Sequence, residues 1–153
     1  NQIYLRYTDM VEPFSVDESW LDVTGSTKLF GTGSQIADEI RQTVKKELGL
    51  TLSAGVSFNK IFAKMGSDYK KPDATTVITR ENFKLLLWPM NVRSMFFVGK
   101  ATAGKLHDYG IKTIGELANS DRNMIKKMLG KQGGKIVLRF RLIDDIRDAE
   151  TQL

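Results

Sequence analysis

Apolar residues in the first half of the chain follow a regular series of strand and helix patterns. Val11 to Val16 and Trp20 to Thr24 are strand-like runs joined by a turn. Gly33 to Leu48 has apolar residues at helical spacing and ends at Gly49, a typical helix C-cap. The remaining predicted elements are a strand, a helix stopped by Pro72 and a strand, at 51–57, 58–70 and 75–79. This order predicts an α+β layer with an antiparallel or mixed sheet and helices on one face.

The second half has a different pattern, with no strand-like run from Arg80 onward. Short helical patterns separated by glycine turns predict helices at 81–88, 102–109, 114–118, 121–129 and 134–143. We therefore expect a mixed α/β domain over residues 1–79 and a small all-helical domain over residues 80–145.

Two adjacent carboxylates, Asp17 and Glu18, fall at the predicted turn between the first two strands. Neighbouring side chains on a regular strand point to opposite faces, so the pair can converge on one ion only where the chain turns or bulges. The position indicates a metal site. A solvated acidic turn with no ligand is the alternative that the local sequence leaves open.

Composition restricts the kind of metal. The chain has 153 residues, 41% of them hydrophobic, no cysteine and one histidine, His107. Thiolate and histidine-rich centres are excluded, which leaves a hard, oxygen-ligated ion such as Mg²⁺ or Mn²⁺. No apolar run reaches about 18 residues and no signal-peptide pattern opens the chain, so we expect a cytoplasmic protein without membrane association. Residue 1 is Asn, and 1–9 resembles the end of a helix, so we expect a segment of a longer protein.

The net charge of +5 is distributed unevenly. Residues 1–79 have 9 Lys and Arg against 10 Asp and Glu, whereas residues 80–153 have 14 against 8. A basic second half indicates a polyanionic partner, although solvated helix faces also carry excess lysine.

Lysines recur along the predicted helix at 58–70 and just beyond it. Lys60, Lys64 and Lys71 are spaced by four and seven residues, which predicts one cationic stripe opposite the apolar face. Lysines beside a carboxylate-bound metal are suited to a triphosphate, whose charge must be neutralised on several sides. An ordinary solvated lysine face is the alternative.

Glycine turns in the second half favour contact with phosphates. The run from Phe97 to Leu106 reads as a glycine turn entering a helix, where backbone N–H groups and the cations of Lys100 and Lys105 can bind phosphate. A looser echo spans Leu129 to Ile136, and residues 93–141 have 11 basic against 3 acidic side chains. Such a helix-hairpin-helix grip would hold DNA without reading its sequence, unless the glycines are purely structural.

Three motifs in this order resemble the Y-family translesion DNA polymerases, specifically the DNA polymerase IV and UmuC-like (impB/mucB/samB) branch. They are the segment Phe14 to Gly25, the segment Ala54 to Lys64 that continues to Lys70-Lys71-Pro72, and the hairpin Val98-Gly99-Lys100. The resemblance covers nearly the whole chain. It implies that residues 1–79 are most of a polymerase palm, that residues 80–145 are the thumb, and that residues 146–153 begin a linker to an absent little-finger domain.

The resemblance also implies roles for individual residues. Asp17 and Glu18 would be catalytic metal ligands of a two-metal nucleotidyl transfer with Mg²⁺, or with Mn²⁺ in its place, and Ser15 would support their turn. Lys71, with Lys64 near it, would contact the triphosphate. The residues expected to grip primer-strand phosphates are Val98, Gly99, Lys100, Ala101, Thr102, Gly104 and Lys105. The implied partners are primer-template DNA, a deoxynucleoside triphosphate and, through an absent C-terminal region, a sliding clamp.

The implied function is synthesis past damaged bases, as in DNA repair and SOS mutagenesis. Family members carry a further metal-binding aspartate and a fingers subdomain that would lie before Asn1, so we expect this chain alone to be inactive. Asp9, Glu12 and Asp22 are not favoured as a substitute ligand, since Asp22 is expected to face solvent or cap a neighbour.

Two other functions stay open at this point. One is a non-catalytic DNA-binding module, in which the acidic turn has no chemical role. The other is a palm-like nucleotide cyclase, which also sets carboxylates on a hairpin beside a lysine but does not require the basic helical half.

Overall fold

The computed structural model of the protein describes residues 1–96 and 98–129, without the side chain of Arg122. The chain divides into two compact units, Asn1–Ile78 and Thr79–Leu153. The predicted helix at 134–143, the second glycine turn at 129–136 and the predicted linker at 146–153 lie outside the described residues, apart from Leu129 itself.

The first unit contains the predicted series of strands and helices, with shorter strands than expected. Its elements are β1 (Val11–Pro13), β2 (Ser19–Leu21), α1 (Thr27–Phe30), α2 (Gly33–Leu48), β3 (Ala54–Ser57), α3 (Lys60–Tyr69) and β4 (Thr75–Ile78), with 3-10 turns at Tyr4–Arg6 and Thr24–Ser26. The predicted hairpin is confirmed, because β1 and β2 pair antiparallel with Glu12 opposite Trp20. The short helix α1 was not predicted.

The described strands of this unit form two separate two-stranded sheets instead of one continuous sheet. β3 and β4 pair in parallel, with Val56 opposite Val77, and α3 connects them. An apolar cleft of about 170 Å³ is lined by residues of β2, α2 and β3. The α+β class is confirmed, with both parallel and antiparallel pairing present.

Helix α2 has the predicted bounds because both of its ends are capped. At its start the Thr32 hydroxyl and the Gln35 side chain form a reciprocal capping box. At its end Gly49 adopts φ of 65°, the left-handed conformation that favours glycine. The buried face of α2 packs in one cluster with Ile3 and Tyr7.

Helix α3 lies unusually close to β3 because glycines face each other at the contact. A Cβ atom built on Gly55 would fall 1.8 Å from the carbonyl oxygen of Ala63, and one on Gly66 would fall 3.0 Å from the Cα of Gly55. The helix begins at Lys60, two residues later than predicted, since the Asn59 side chain accepts a hydrogen bond from the Phe62 N–H (2.8 Å) as N-cap. Of its apolar residues, Phe62 and Met65 are buried in the core.

The regular elements among the described residues of the second unit are all helices, as predicted, with one isolated antiparallel bridge between Asn91 and Thr113. Its helices are α4 (Phe83–Leu87), α5 (Lys100–Asp108), α6 (Ile114–Ala118) and α7 (Arg122–Leu129). α6 has the predicted bounds, whereas α5 begins two residues earlier than expected because Gly99 is its N-cap. The largest fully buried side chains of this unit are Phe83, Leu87, Val92, Leu106, Ile114 and Ile125.

We predict that Gly55→Ala destabilises the first unit by about 3 kcal/mol or more, because the new methyl group would meet a helix backbone that cannot move away. Thermal unfolding followed by circular dichroism measures the loss. Gly25→Ala is the matched control, since nothing lies within 4 Å of a Cβ at that position, and we expect a change within about 0.5 kcal/mol. Equal effects of the two substitutions would contradict the close contact.

Candidate functional site

The acidic pair lies in the turn of the β1–β2 hairpin. The backbone N–H groups of Phe14 and Ser15 both donate to the carbonyl oxygen of Glu18, at 2.9 and 3.2 Å, and so close the turn. Asp17 and Glu18 are therefore outside the regular strand geometry that would send their side chains to opposite faces.

Ser15 holds the two carboxylates on the same side of this turn. Its Oγ donates to Asp17 Oδ1 at 3.0 Å and lies 3.5 Å from Glu18 Oε2. One hydroxyl proton serves one acceptor at a time, so the two carboxylates share a single donor. Ser15 thus contacts both carboxylates, and its supporting role stays a prediction.

Lys64 of α3 contacts Glu18 of the acidic pair. Its Nζ lies 2.5 Å from Glu18 Oε1 and 2.8 Å from Asp68 Oδ2, and its side chain is 16% exposed. Burial opposes the charged form, but the hydrogen bonds to Asp68 and Glu18 outweigh it and raise the pKa of Lys64 above its ordinary value. Lys64 therefore stays a cation at neutral pH.

One cleft of about 370 Å³ collects the acidic pair and two of the three lysines. Asp17, Glu18, Lys64 and Lys71 all line it, together with three aromatic rings. The rings are those of Tyr4, Phe14 and Trp20. This arrangement combines carboxylates suited to a cation with ammonium groups suited to an anion.

The predicted single stripe of three lysines is wrong. Helix α3 ends at Tyr69 and Lys70 is extended, so Lys71 lies beyond the helix and not on its face. Lys60 pairs with Glu12, lies 5.4 Å from the centroid of the Trp20 ring and does not line the cleft. Of the three lysines, only Lys64 and Lys71 share the cleft with the acidic pair.

Sequence reasoning missed Asp68. Its Oδ2 binds Lys64 at 2.8 Å and its Oδ1 binds Lys71 at 2.7 Å, so one carboxylate joins the two lysines of the cleft. Burial raises its pKa, but hydrogen bonds from Lys64 and Lys71 outweigh this and lower the pKa of Asp68 below the ordinary value. The sequence does contain a signal for these two ion pairs, because Asp68 lies four residues after Lys64 and three residues before Lys71.

Sequence reasoning also missed the hydrogen bonds and ion pairs that fix the segment around Lys71. Asp73 accepts from Arg41 Nη2 at Oδ1 and from Lys45 Nζ at Oδ2, both at 2.9 Å, and Arg41 Nη2 also donates to the Asp73 carbonyl oxygen. Since Arg41 and Lys45 belong to α2, these bonds fix the chain two residues after Lys71. Asp73 itself adopts φ of 50°.

Three carboxylates of the described residues line the cleft, those of Asp17, Glu18 and Asp73, and Asp73 is bound to Arg41 and Lys45. Within the described residues, no group of three or more His, Cys, Asp or Glu side chains is arranged to hold a metal ion. As expected, Asp22 caps a neighbour, since its Oδ1 accepts from the Thr24 N–H at 2.9 Å. Asp17 and Glu18 fit a hard divalent ion through their oxygen donors.

The glycine hairpin of the second unit presents the N-terminal end of α5. Gly99, Lys100 and Ala101 are exposed, and no side chain caps the helix at Gly99. The first turn of a helix directs its backbone N–H groups outward along the axis. Gly104 and Lys105 are exposed as well, whereas Val98 and Thr102 are buried, so any contact by these two would use the backbone.

Comparison with known proteins shows which family this chain belongs to. The model of the impB/mucB/samB family matches residues 1–68, and that of the IMS family HHH motif matches residues 80–111. The chain belongs to the Y-family of DNA polymerases. Its curated relatives are named DNA polymerase IV: it is 54% identical to the one from Acetivibrio thermocellus over 132 residues, and 47% identical to the one from Clostridium kluyveri over 134 residues.

These matches cover most of the chain but a minor part of each relative. The aligned regions are 86% and 88% of this chain and 33% and 34% of those two relatives, so the chain spans about a third of their length. Among solved structures, DinB from Sulfolobus solfataricus has a TM-score of 0.80 at 26% identity, over 95% of this chain and 42% of that one. The insertion ternary complex of Dbh DNA polymerase has a TM-score of 0.82 at 25% identity, over 97% and 42%.

In the part of the chain that the structure describes, no helix combines the length and the apolar character needed to cross a bilayer.

We predict that the link between Asp73 and α2 weakens in acid. Hydrogen bonds from Lys45 and Arg41 lower the pKa of Asp73. A lowered pKa contributes stability that is fully present above the ordinary Asp value of about 3.9 and is lost as pH falls through the lower folded value. Urea unfolding at a series of pH values should therefore show an Asp73→Asn deficit that is constant near neutrality and vanishes in acid.

The control for this experiment is the same pair of proteins in a Lys45→Gln background. Removing one of the two cations should make the pH-dependent part of the deficit smaller. A deficit independent of pH would contradict the proposed charge pairing.

Proposed function

We propose that the whole protein is a DNA-directed DNA polymerase that copies past damaged bases, and that this chain supplies part of its palm and its thumb. The observation that carries the proposal is that Asp17, Glu18, Lys64 and Lys71 all line one cleft. The Y-family membership and the name DNA polymerase IV among the relatives support it. On this proposal residues 1–79 are palm and residues 80–145 are thumb.

Asp17 and Glu18 are the proposed catalytic carboxylates. They would hold Mg²⁺, two ions in the full active centre, or Mn²⁺ in its place; these ions, when bound, lower the pKa of the primer 3′-hydroxyl and neutralise the triphosphate and its leaving pyrophosphate. Ser15 keeps the two carboxylates on one side of the turn, which is the orientation that a shared ion requires.

Lys64 and Lys71 are the proposed triphosphate ligands. Charge on the triphosphate has to be neutralised on several sides during phosphoryl transfer, and fixed ammonium groups do this without reorganising at the moment of reaction. Lys71 is 59% exposed and can reach a ligand in the cleft, whereas Lys64 is largely buried beside Glu18. Lys71 is therefore the principal contact and Lys64 stabilises charge next to the carboxylates.

The hairpin at residues 98–105 is the proposed grip on primer-strand phosphates. Exposed backbone N–H groups at the start of α5 and the cations of Lys100 and Lys105 are suited to phosphate oxygens. Such contacts carry no base information, which agrees with an enzyme that must accept any primer sequence.

Partners and setting follow from the same proposal. The substrates are primer-template DNA and a deoxynucleoside triphosphate, a sliding clamp is the proposed recruiting partner, and the setting is SOS-linked repair in the bacterial cytoplasm. The class of substrate is supported by the structural similarity to Dbh DNA polymerase, which was solved as an insertion ternary complex.

A chimera tests the catalytic role. This chain replaces the aligned segment of the Acetivibrio thermocellus DNA polymerase IV, and primer extension is measured with Mg²⁺. We expect the chimera to extend a primer, and Asp17→Asn or Glu18→Gln to reduce the rate on the order of 100-fold or more, because fixed transition-state electrostatics is lost.

Asp9→Asn is the matched control in the chimera, since this exposed carboxylate lies outside the cleft, and it should leave extension unchanged. Unaltered extension by the Asp17 and Glu18 variants would instead favour a DNA-binding module without a catalytic acidic turn.

A second experiment tests the DNA grip with the chain itself. The affinity for a labelled primer-template duplex should fall steeply as salt rises, because bound phosphates release counterions. Lys100→Gln and Lys105→Gln should each reduce the slope of log K against log salt by about one. Lys28→Gln, an exposed lysine of α1, is the control and should leave the slope unchanged. A slope as large in the hairpin variants as in the control would argue against this grip.

A further inference from the structure

One carboxylate outside the cleft contacts both of its ammonium groups. Asp68 does not line the cleft, yet its two oxygens bind Lys64 and Lys71, which do. The three residues lie on different parts of the chain: Lys64 is mid-helix, Asp68 is in the last turn of α3 and Lys71 is beyond its end. A carboxylate behind two cations can act on a cleft ligand only through those cations.

We propose that Asp68 is a positioning residue that holds Lys64 and Lys71 as a paired site for the polyphosphate of an incoming nucleotide. The inference rests on the proposed function and adds a residue to it. The two oxygens of one carboxylate share a single carbon atom, so two ammonium groups bound to them are kept close together. Adjacent phosphates of a polyphosphate present a matching pair of charges, which a single phosphate does not.

The conformational freedom of the lysine side chains explains why a positioning residue would help ligand binding. A long side chain loses rotamer entropy when it is fixed. Contacts with Asp68 already restrict the two lysine side chains in the free protein, so less rotamer entropy is lost when the ligand binds. Each ammonium group has three donors, so Lys71 retains two for phosphate oxygens after its bond to Asp68.

A simpler explanation treats the contacts as surface ion pairs that weakly stabilise the end of α3. The two explanations predict opposite signs for anion binding. If Asp68 only balances charge, its removal makes the cleft more positive and tightens anion binding. If Asp68 positions the lysines, its removal weakens polyphosphate binding in spite of the added positive charge.

The test uses the full chain and inorganic tripolyphosphate as the probe, with orthophosphate for comparison, followed by isothermal titration calorimetry. We expect the wild-type chain to prefer tripolyphosphate. Asp68→Asn should weaken tripolyphosphate binding about threefold to tenfold, the cost of ordering side chains that were held before. It should leave orthophosphate binding equal or tighter, so that the preference between the two probes falls.

Two further variants complete the design. Asp68→Glu keeps the charge and both oxygens, and it should retain more of the preference than Asp68→Asn. Glu47→Gln is the matched control, because Glu47 forms an exposed ion pair with Arg6 outside the cleft; the preference should not change.

The outcomes separate the positioning role from the proposed function. Tighter or unchanged tripolyphosphate binding in Asp68→Asn, with the wild-type preference intact, would overturn the positioning role alone. If the wild-type chain shows no preference, or if Lys71→Gln leaves it unchanged, the triphosphate role of the cleft is wrong and the positioning role falls with it.

Discussion

The direct backbone contact between α3 and β3 is the constraint on which the candidate site depends. Without side chains at Gly55 and Gly66, the helix lies against the strand at a distance that any Cβ on Gly55 would prevent. The helix in turn binds the acidic hairpin: Trp20 Nε1 donates to the Lys60 carbonyl oxygen at 3.1 Å, and Lys64 pairs with Glu18. Lys64 is on α3 and Lys71 lies just beyond its end. The close packing of α3 against β3 therefore determines whether these lysines come near Asp17 and Glu18.

Charge pairing within the cleft explains how like charges can be gathered there. Asp17 and Glu18 are adjacent, and their mutual repulsion is offset by the Ser15 hydroxyl and the Lys64 ammonium group. Asp68 likewise offsets the repulsion between the ammonium groups of Lys64 and Lys71, because it contacts both of them. The result is a series of contacts from Glu18 through Lys64 and Asp68 to Lys71, which leaves both carboxylates and ammonium groups lining the cleft and suits a ligand that brings both divalent cations and phosphates. This electrostatic fit connects the geometry with the proposed nucleotidyl transfer.

The second unit owes its shape to local signals of a different kind. Thr113 and Glu116 form a capping box at the start of α6, and Gly110, at φ of 81°, ends the turn after α5. Gly115 lets α6 approach the Trp88 side chain, where a Cβ would lie 3.1 Å away. Gly99, Lys100 and Ala101 at the start of α5 remain exposed. The proposed phosphate contacts of the hairpin need no side chain beyond the two lysines.

Elements with complete local signals were predictable from the sequence by itself. The bounds of α2 and α6 followed from caps and helical spacing, and the acidic pair was correctly assigned to a hairpin turn. Only the tertiary structure decided which lysines meet the acidic pair, since Lys64 and Glu18 are 46 residues apart and Lys60 turns to Glu12, 48 residues away. Local patterns record hydrogen bonds and amphipathic faces within a few residues. Contacts between distant residues depend on how one element packs on another, here on two glycines whose importance appears only when α3 and β3 are in contact.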